Sequence, residues 1–226
     1  MENSTETRRV LVTGGSGYLG QALIASLLER GRRVRAIVRA GSENKLPSGC
    51  EAVIGDVFGA RSIGNALDGC DTLVQLVGTP KPAPWKGASF RAIDERSCLA
   101  ALEAAQARSS ARRVHFVYLS VAQPAPVMRD YIAVRARCEA AIRGSGLPAT
   151  FVRPWYVIGP GHRWPLILKP FYAALEAFPS TRASARRLAL VRLADVVAAL
   201  TNAIDDPPTG LRVIDADAIR IARARA

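Results

Sequence analysis

The feature that most constrains the fold is a glycine-rich segment between the first predicted strand and the first predicted helix. Residues Arg9–Thr13 (RVLVT) are typical of a short buried strand, and an amphipathic helical pattern begins at Tyr18. Between and just after them, Gly14, Gly17 and Gly20 form a GxxGxxG pattern. Such glycines permit a tight turn, a close approach of the backbone to a pyrophosphate and close packing of helix on strand, while the helix N-terminus faces the anion.

The segment therefore predicts dinucleotide binding, with a purely structural glycine turn as the alternative. The sequence has no GxxxxGK, which excludes the phosphate loop of nucleoside triphosphatases. The predicted cofactor contacts of the segment are Thr13, Gly14, Gly15, Ser16, Gly17, Tyr18, Leu19 and Gly20.

Short apolar runs and helical patterns alternate along the next part of the chain. The further predicted strands are Arg33–Val38, Glu51–Ile54, Thr72–Val77, Val114–Leu119 and Ala149–Val152. The predicted helices between them are Ala60–Leu67, Ser89–Arg108 and Val127–Arg143. This alternation, with right-handed crossovers, predicts an α/β fold: a doubly wound parallel sheet of the Rossmann type with helices on both faces.

The composition changes after Pro154, where prolines and glycines become frequent. The patterns there predict a broken helix over Trp164–Phe178, a helix over Asp195–Ile204, a last strand over Leu211–Ile214 and a basic helix or tail over Ala216–Arg225. We expect one NAD(P)-binding domain over residues 1–226, in which residues 155–226 form a small substrate-side and C-terminal extension.

The net charge of +12 comes from 31 basic residues against 19 acidic ones. The arginines are scattered rather than clustered, so we expect no nucleic-acid partner, although a pI near 10.4 invites that reading. The N-terminus is polar and no run approaches the roughly 20 apolar residues of a membrane span, so the sequence predicts a cytoplasmic protein with no membrane partner. The spacing of the four cysteines predicts buried thiols, and no cluster of ligands indicates a metal.

The end of the second predicted strand bears on the choice of cofactor. No carboxylate that could bind a ribose 2′-hydroxyl occurs there before Glu43. Arg39 can instead bind a 2′-phosphate through paired hydrogen bonds, and Arg35 is nearby. This favours NADP, with NAD as the alternative if Arg39 is only a solvated arginine.

Further motifs follow the glycine segment in a characteristic order. They are Gly55-Asp56-Val57, Leu76-Val77-Gly78, His115–Ser120 (HFVYLS), Tyr131–Arg135 (YIAVR) with Glu139, Arg153–Gly161 (RPWYVIGPG) and Arg192–Val196 (RLADV). With these motifs the chain resembles the extended or atypical short-chain dehydrogenase/reductase superfamily over nearly its whole length. Within it the chain is most similar to small atypical members, including NmrA-like proteins and the branch related to a respiratory complex I accessory subunit.

The resemblance implies several further cofactor contacts. Asp56 would meet the adenine amine, the segment around Val77 would close on a ribose, and the segment after Arg153 would lie beside the nicotinamide. The residues implied, together with Arg39, are Asp56, Val57, Leu76, Val77, Gly78, Pro154, Trp155, Tyr156 and Val157. In this superfamily the helices predicted over Ser89–Arg108 and Val127–Arg143 often form dimers, so a homodimer is one arrangement that the resemblance implies.

The resemblance also implies a catalytic group made of Ser120, Tyr131 and Arg135. Tyr131 would exchange a proton with the substrate oxygen, and Ser120 would hydrogen-bond that oxygen. Arg135 stands where the family has Lys, one helical turn after Tyr131. Arginine keeps the positive charge that stabilises a phenolate, but it cannot release a proton at physiological pH.

Two functions follow from this site. The first is an NADP(H)-dependent oxidoreductase, or an epimerase-like relative, that acts on a small apolar carbonyl or alcohol. The second is a non-catalytic NADP(H)-binding redox sensor or assembly protein. Five aromatic residues line either a pocket mouth or the core: Trp155, Tyr156, Trp164, Phe171 and Tyr172. Of the two histidines, His115 is predicted to be structural, and His162 lies either beside the substrate or on a surface loop.

Overall fold

The computed structural model describes residues 9–79, 89–108, 113–125, 128–161 and 188–222. Its centre is a seven-stranded sheet, all of whose neighbouring strands are parallel, in the order β3-β2-β1-β4-β5-β6-β9. Its strands are β1 (Arg9–Thr13), β2 (Arg33–Val38), β3 (Glu51–Ile54), β4 (Thr72–Gln75), β5 (His115–Leu119), β6 (Ala149–Val152) and β9 (Leu211–Ile214). Two short strands, β7 (Val157–Ile158) and β8 (Val191–Arg192), pair in parallel beside it.

Helices connect the strands. They are α1 (Tyr18–Glu29), α2 (Ala60–Ala66), α3 (Arg96–Gln106), α4 (Arg129–Gly144), α5 (Leu193–Asp205) and α6 (Ala216–Ala222), with a 3₁₀ turn at Glu43–Lys45. The strand order reverses between β1 and β4, which is the point where doubly wound sheets bind ligands. The predicted fold class is confirmed.

The core consists of two apolar layers, one on each face of the sheet. Along β1, Leu11 belongs to the layer under α2, α3 and α4, while Val10 and Val12 belong to the layer under α1, α5 and α6. All three side chains are fully buried. The central strands β1, β4, β5 and β6 are buried on both faces, which is why they read as nearly continuous apolar runs, whereas the edge strands β3 and β9 are partly exposed.

Strand β4 ends at Gln75, two residues before the predicted end. The Leu76 N–H still donates to the Thr13 carbonyl at 3.2 Å, and the chain then crosses the glycine segment. A Cβ on Gly14 would lie 3.0 Å from both the Leu76 carbonyl carbon and the Val77 nitrogen. The strand therefore leaves the sheet where its backbone packs against Gly14, whose φ of +76° also requires glycine.

The helix predicted over Ser89–Arg108 is divided into two parts. A π-helical turn, Arg91–Glu95, runs directly into α3. Turns of this type insert an extra residue into a helix and are frequent at functional sites. This turn carries Asp94, which is completely buried.

The C-terminal elements extend the main sheet. Strand β9 pairs with β6, and α5 begins at Leu193, two residues before the predicted start. Asp195 caps this helix by accepting a hydrogen bond from the Arg192 N–H at 3.4 Å. The helix predicted over Trp164–Phe178 and the end of the predicted tail lie outside the described residues.

Among the described residues, neither a membrane-spanning helix nor a metal-binding cluster is present. Their helices are all too short or too polar to cross a bilayer. The same residues hold no cluster of three or more His, Cys, Asp or Glu side chains that could bind a metal ion.

Candidate active site

A cavity of about 470 Å³ opens at the carboxyl ends of the central strands. Its wall joins the glycine segment and the loop after β4 with residues from the ends of β5 and β6 and from α4. The lining residues are Gly14, Gly17, Tyr18, Leu19, Gly20, Leu76, Gly78, Thr79, Leu119, Ser120, Val121, Met128, Tyr131, Arg135, Pro154, Trp155, Tyr156 and Val157. The cavity thus brings together residues from each of the predicted glycine, ribose, catalytic and nicotinamide segments.

The glycine segment forms a bare backbone wall at the start of α1. The Gly17 N–H donates to the Gly14 carbonyl at 3.1 Å, and no side chain caps the helix. A Cβ on Gly20 would overlap the Gly14 carbonyl oxygen and lie 2.7 Å from the Gly15 Cα. The three motif glycines therefore allow the turn to stay tight and leave the helix N-terminus open to an anion.

Three other residues of the segment lie outside the cavity wall. The Thr13 hydroxyl is buried and donates to the Gln75 side chain oxygen, and a Cβ on Gly15 would lie 2.8 Å from Ile24. The Ser16 carbonyl accepts a hydrogen bond from the Gln21 side chain at 2.9 Å. Thr13 and Gly15 thus hold the strand and helix together.

The residues predicted to contact the adenine end of the cofactor also lie outside the cavity wall. Asp56 is exposed just after β3, and one carboxylate oxygen accepts from the Phe58 N–H at 2.9 Å. Val57 packs against the apolar core, and neither residue lines the cavity. Val77, between the lining residues Leu76 and Gly78, is also absent from the wall.

Arg35 in β2 and Arg39, the residue after this strand, have different surroundings. Arg39 is exposed at the carboxyl end of the strand and makes no ion pair with a described residue. Arg35 donates to Glu51 at 2.9 Å and to the Ala66 carbonyl at 2.7 Å. Although Arg35 lies near Arg39 in the sequence, its guanidinium is already bound within the fold and is not free to bind a phosphate.

Tyr131 lies in the first turn of α4, with its ring between two neighbours. The Phe90 ring centroid is 4.9 Å away, and the Arg135 guanidinium carbon lies 5.1 Å from the Tyr131 ring centroid. Tyr131 is half-buried, so its phenol ring is held in place while the residue remains part of the cavity wall.

Arg135 is almost completely buried and hydrogen-bonded on both terminal nitrogens. One donates to the Leu119 carbonyl at 2.7 Å and to the Tyr118 hydroxyl at 3.2 Å; the other donates to Asp94 at 2.6 Å. Burial acts to lower the pKa of Arg135, but neighbouring Tyr131, Tyr118 and Asp94 outweigh it and raise the pKa above its ordinary value. Arg135 is therefore a fixed cation.

Gly78 makes room for this arrangement. A Cβ at this position would overlap Arg135 Nη2 and lie 3.0 Å from Asp94 Oδ1. The other carboxylate oxygen of Asp94 accepts from the Thr79 N–H at 3.0 Å. Burial raises the pKa of Asp94, and both Arg135 and the Thr79 N–H oppose that rise.

Ser120 is buried at the end of β5. Its hydroxyl donates to Glu139 at 2.5 Å, and Glu139 also accepts from Arg153 at 2.9 Å. Sequence reasoning included Glu139 and Arg153 only as motif members and missed Asp94 altogether. The spacing of Tyr131, Arg135 and Glu139, each four residues apart on one helix, was the available signal for Glu139.

The remaining histidine and cysteine predictions concern the core. His115 lies in β5, and its Nε2 is 3.0 Å from the Thr150 hydroxyl, so it is structural as predicted. Burial lowers its pKa to about 4. All four cysteines are free; Cys70, Cys98 and Cys138 are buried and Cys50 is partly buried. His162 lies outside the described residues.

Two observations test whether a dinucleotide fits this cavity. The bare glycine wall offers N–H groups without side chains in front of them. In addition, Arg135 Nε is buried in the wall and has no hydrogen-bond partner among the described residues. A buried donor without a partner is costly, and a ligand hydroxyl would satisfy it. Both features fit a nucleotide cofactor.

Comparison with known proteins agrees with this geometry. Residues 14–165 match the family described as NAD(P)H-binding. A ceramide reductase of Caulobacter vibrioides is 28% identical over 212 residues, which are 92% of this chain and 65% of that protein. A 4-hydroxy-2-methyl-3-oxo-4-farnesyl-3,4-dihydroquinoline-1-oxide ketoreductase of Stigmatella aurantiaca is 27% identical over 170 residues, 67% of this chain and 51% of that protein.

The chain thus spans between about half and just under two thirds of the length of these two relatives. Among solved structures, the Bordetella bronchiseptica enzyme WbmH in complex with NAD⁺ superposes with a TM-score of 0.68 at 20% identity. The match covers 92% of this chain and 76% of WbmH. At this identity the superposition establishes a shared fold.

Proposed function

The chain belongs to the NAD(P)H-binding family, within the extended and atypical short-chain dehydrogenase/reductase superfamily, and from this premise we propose that it is an NADP(H)-dependent oxidoreductase of apolar carbonyl compounds and their alcohols. One observation carries the proposal. A single cavity wall contains the glycine segment together with Ser120, Tyr131 and Arg135. A cofactor bound along that wall would meet a proton donor in the same space.

The proposed cofactor is NADP(H) rather than NAD(H). Arg39, the residue that follows β2, is exposed and has no ion-pair partner among the described residues. A guanidinium binds phosphate oxygens through two hydrogen bonds, which makes it suited to a 2′-phosphate. The glycine segment would hold the pyrophosphate, and Arg135 Nε would donate to a hydroxyl of the nicotinamide ribose.

The chemistry requires a proton on the substrate oxygen, and Tyr131 supplies it. When bound, the reduced cofactor supplies a hydride to the carbonyl carbon. Tyr131 gives its phenolic proton to the carbonyl oxygen, and the guanidinium of Arg135, 5.1 Å from the ring centroid, favours the phenolate that remains. Arg135 cannot relay protons, so the Tyr131 phenolate takes its next proton from solvent water that enters the cavity.

The proposed substrate is apolar. Val121, Met128 and Trp155 contribute to the wall near Tyr131, and a methionine adapts to irregular apolar shapes. The relatives named for ceramide and for a farnesyl-bearing ketone act on compounds of similar character. Trp155 packs on Tyr156 with ring centroids 5.0 Å apart, so these two aromatics serve both packing and the cavity. The other three predicted aromatics lie outside the described residues.

We also propose that neither a nucleic acid nor a membrane is a partner of this protein. Many arginines are engaged in ion pairs, such as Arg32 with Asp205 at 2.5 Å and Arg137 with Glu95 at 2.7 Å. Dispersed and paired charges do not make the continuous basic surface that binds a polyanion. The partner is a small molecule, and a homodimer through the faces of α3 and α4 stays part of the proposal.

One observation favours a second candidate function, a non-catalytic NADP(H)-binding sensor or assembly protein. Asp94 pairs with Arg135 and reduces the net positive charge near Tyr131. Such a protein would bind the cofactor without turning over any carbonyl. The resemblance to NmrA-like proteins stays a prediction.

Turnover of NADPH distinguishes the two candidates. Purified protein is incubated with NADPH and a panel of aliphatic, aryl and long-chain ketones, and the loss of nicotinamide absorbance is followed. We expect turnover with apolar ketones and a loss of about 100-fold or more in Tyr131→Phe, the size of a removed general acid. Tight NADPH binding with no turnover across the panel would instead establish the non-catalytic candidate.

A further inference from the structure

Behind the cavity, three polar side chains form a buried chain of hydrogen bonds. Ser120 Oγ donates to Glu139 Oε1 at 2.5 Å, and Arg153 donates from Nε to the same oxygen at 2.9 Å. Arg153 Nη2 also donates to Glu139 Oε2. Ser120 and Glu139 are each only 3% exposed, so water does not compete for the bond between them, and Arg153 is partly buried.

The backbone fixes this arrangement from three elements. Glu139 lies on α4, two turns after Tyr131 and one turn after Arg135. The Ser120 N–H donates to the Val152 carbonyl at 2.8 Å, which ties the end of β5 to the end of β6 just before Arg153. This bond keeps Ser120 close to Arg153, and both side chains reach the Glu139 carboxylate.

The direction of the serine hydrogen bond follows from the chemistry of its partner. A carboxylate that is bound to a guanidinium has no proton, so it can only accept. Ser120 has a single hydroxyl proton, and that proton is committed to Glu139. Toward the cavity the serine oxygen can therefore offer only lone pairs. A charge-assisted hydrogen bond is about twice as strong as a neutral one, so turning the hydroxyl toward a neutral carbonyl is unfavourable.

We propose that Glu139 is a positioning residue that makes Ser120 a hydrogen-bond acceptor toward the ligand. The site then prefers a ligand with a hydroxyl donor at the reacting carbon, and a substrate carbonyl receives its hydrogen bond from Tyr131 alone. This inference rests on the proposed function, because the reacting group is taken to be a carbonyl or its alcohol. A carbonyl oxygen can only accept a hydrogen bond, so it would need Ser120 to donate. In this proposal Ser120 accepts instead.

The protons balance without any transfer to the serine. Tyr131 gives its proton to the carbonyl oxygen, which becomes the hydroxyl of the product. That hydroxyl then donates a hydrogen bond to Ser120 Oγ, while the serine proton stays on Oγ and its bond to Glu139 remains intact. The product alcohol is thereby held more firmly than the ketone.

Binding of three matched probes tests the direction of this bond. The probes are 2-octanone, 2-octanol and 2-methoxyoctane, titrated into the NADP⁺ complex of Tyr131→Phe by calorimetry, so that neither turnover nor the phenol contributes. We expect the alcohol to bind about 5- to 10-fold more tightly than the ketone or the ether, the size of one neutral hydrogen bond. Adding Ser120→Ala should abolish that preference and leave ketone binding within about 2-fold.

The opposite role of Ser120 gives a different pattern. If the serine donates to the ligand, Ser120→Ala weakens the ketone and the ether as much as the alcohol, and the proposal is overturned. Failure of all three probes to bind counts against both this inference and the proposed function. A preference for the alcohol in a protein that turns over no ketone would contradict the proposed function alone. Turnover of ketones without that preference would contradict this inference alone.

Glu139→Gln tests the positioning role itself. A glutamine side chain can accept from Ser120 or donate to it, so the serine becomes free to donate toward a ligand. In the Tyr131→Phe background we expect the preference for 2-octanol to fall to about 2-fold or less. Arg137→Gln removes a charge from the same helix at an exposed pair and should leave the preference unchanged. An unchanged preference in Glu139→Gln, in protein that still binds NADP⁺, contradicts the positioning role; if this variant does not fold, the Ser120→Ala comparison decides.

Discussion

Asp94 and Arg135 form a buried ion pair, with 2.6 Å between Oδ1 and Nη2 and side-chain exposures of 0% and 3%. The pair joins the π-helical turn before α3 to the first half of α4, beside Tyr131. An unpaired buried charge costs several kcal/mol, so the two residues depend on each other. An arginine at this position therefore requires both the carboxylate of Asp94 and the small residue Gly78.

Removing the charge of Asp94 should destabilise the protein strongly. Asp94→Asn keeps the shape of the side chain but leaves Arg135 without a counter-charge, and breaking a buried pair costs roughly 3–5 kcal/mol. The free energy of unfolding, measured by urea denaturation, should fall by about that amount. Glu95→Gln is the matched control, because it removes the neighbouring acidic charge from pairs whose arginines are exposed and should cost about 1 kcal/mol or less. Equal losses in both variants would contradict the role assigned to Asp94.

Replacing Arg135 by Lys should lower activity rather than restore it. The lysine ammonium is a single point donor group and cannot reach Leu119, Tyr118 and Asp94 together as the guanidinium does. We expect kcat to fall by about 10-fold or more, corresponding to the loss of one or two charged hydrogen bonds. Steady-state turnover of NADPH with the best ketone measures this. A rise in kcat would mean that the cavity is shaped for lysine and that Arg135 impairs it.

Gly78→Ala should destabilise the protein more strongly when Arg135 is present than when it is absent. The added Cβ overlaps Arg135 Nη2, and overpacking of this kind costs about 1–3 kcal/mol. In an Arg135→Met background the overlapping atom is gone, so the same substitution should cost clearly less. Thermal unfolding of the wild type, the two single variants and the double variant gives the coupling energy between positions 78 and 135. Gly64→Ala on α2 is the control, because a Cβ there meets no atom within 4 Å and should stabilise the helix.

The sequence predicts the strands better than it predicts the pairs of side chains. Strands β1, β2, β3, β6 and β9 have the predicted bounds, because each is a short apolar or β-branched run that ends at a turn. The glycine spacing, Tyr131 and Ser120 also lead to one cavity, since parallel strands present their carboxyl ends at the same edge.

The contacts that define the site could not be predicted in the same way. Asp94 lies 41 residues before Arg135, inside a stretch whose periodicity predicts an uninterrupted helix. Its inward position depends on the π-helical turn, which leaves no simple periodic signal. Arg35 is the opposite case: its position in the sequence indicates a phosphate ligand, but Glu51 on the neighbouring strand binds it. Such pairings depend on distances between elements that periodicity does not report.

His115 should make the stability of the protein depend on pH in the mildly acidic range. Burial lowers its pKa from 6.5 to about 4, so between these values the unfolded chain binds a proton that the folded chain does not. His115 therefore does not reduce the free energy of unfolding well above pH 6.5. As the pH falls toward 4, it lowers that free energy by about 3 kcal/mol at most. Urea unfolding at several pH values measures this slope. His115→Asn should flatten the curve over this range, and an equally steep curve in the variant would assign the slope to other groups.

Arg39 should determine the choice between NADPH and NADH. Because a charged hydrogen bond contributes about 1.5–3 kcal/mol, Arg39→Ala should raise the Kd for NADPH by at least about 10-fold and leave the Kd for NADH unchanged. Quenching of tryptophan fluorescence on titration with each cofactor measures both constants. Arg33→Ala is the matched control: it removes the same charge six residues earlier, at the amino end of β2, whereas parallel sheets of this type bind ligands at the carboxyl ends of their strands. A similar loss for NADPH and NADH in Arg39→Ala would mean that Arg39 does not contact the 2′-phosphate. A similar loss in both arginine variants would mean that only the overall positive charge matters, and in that case the effect should disappear as the salt concentration rises.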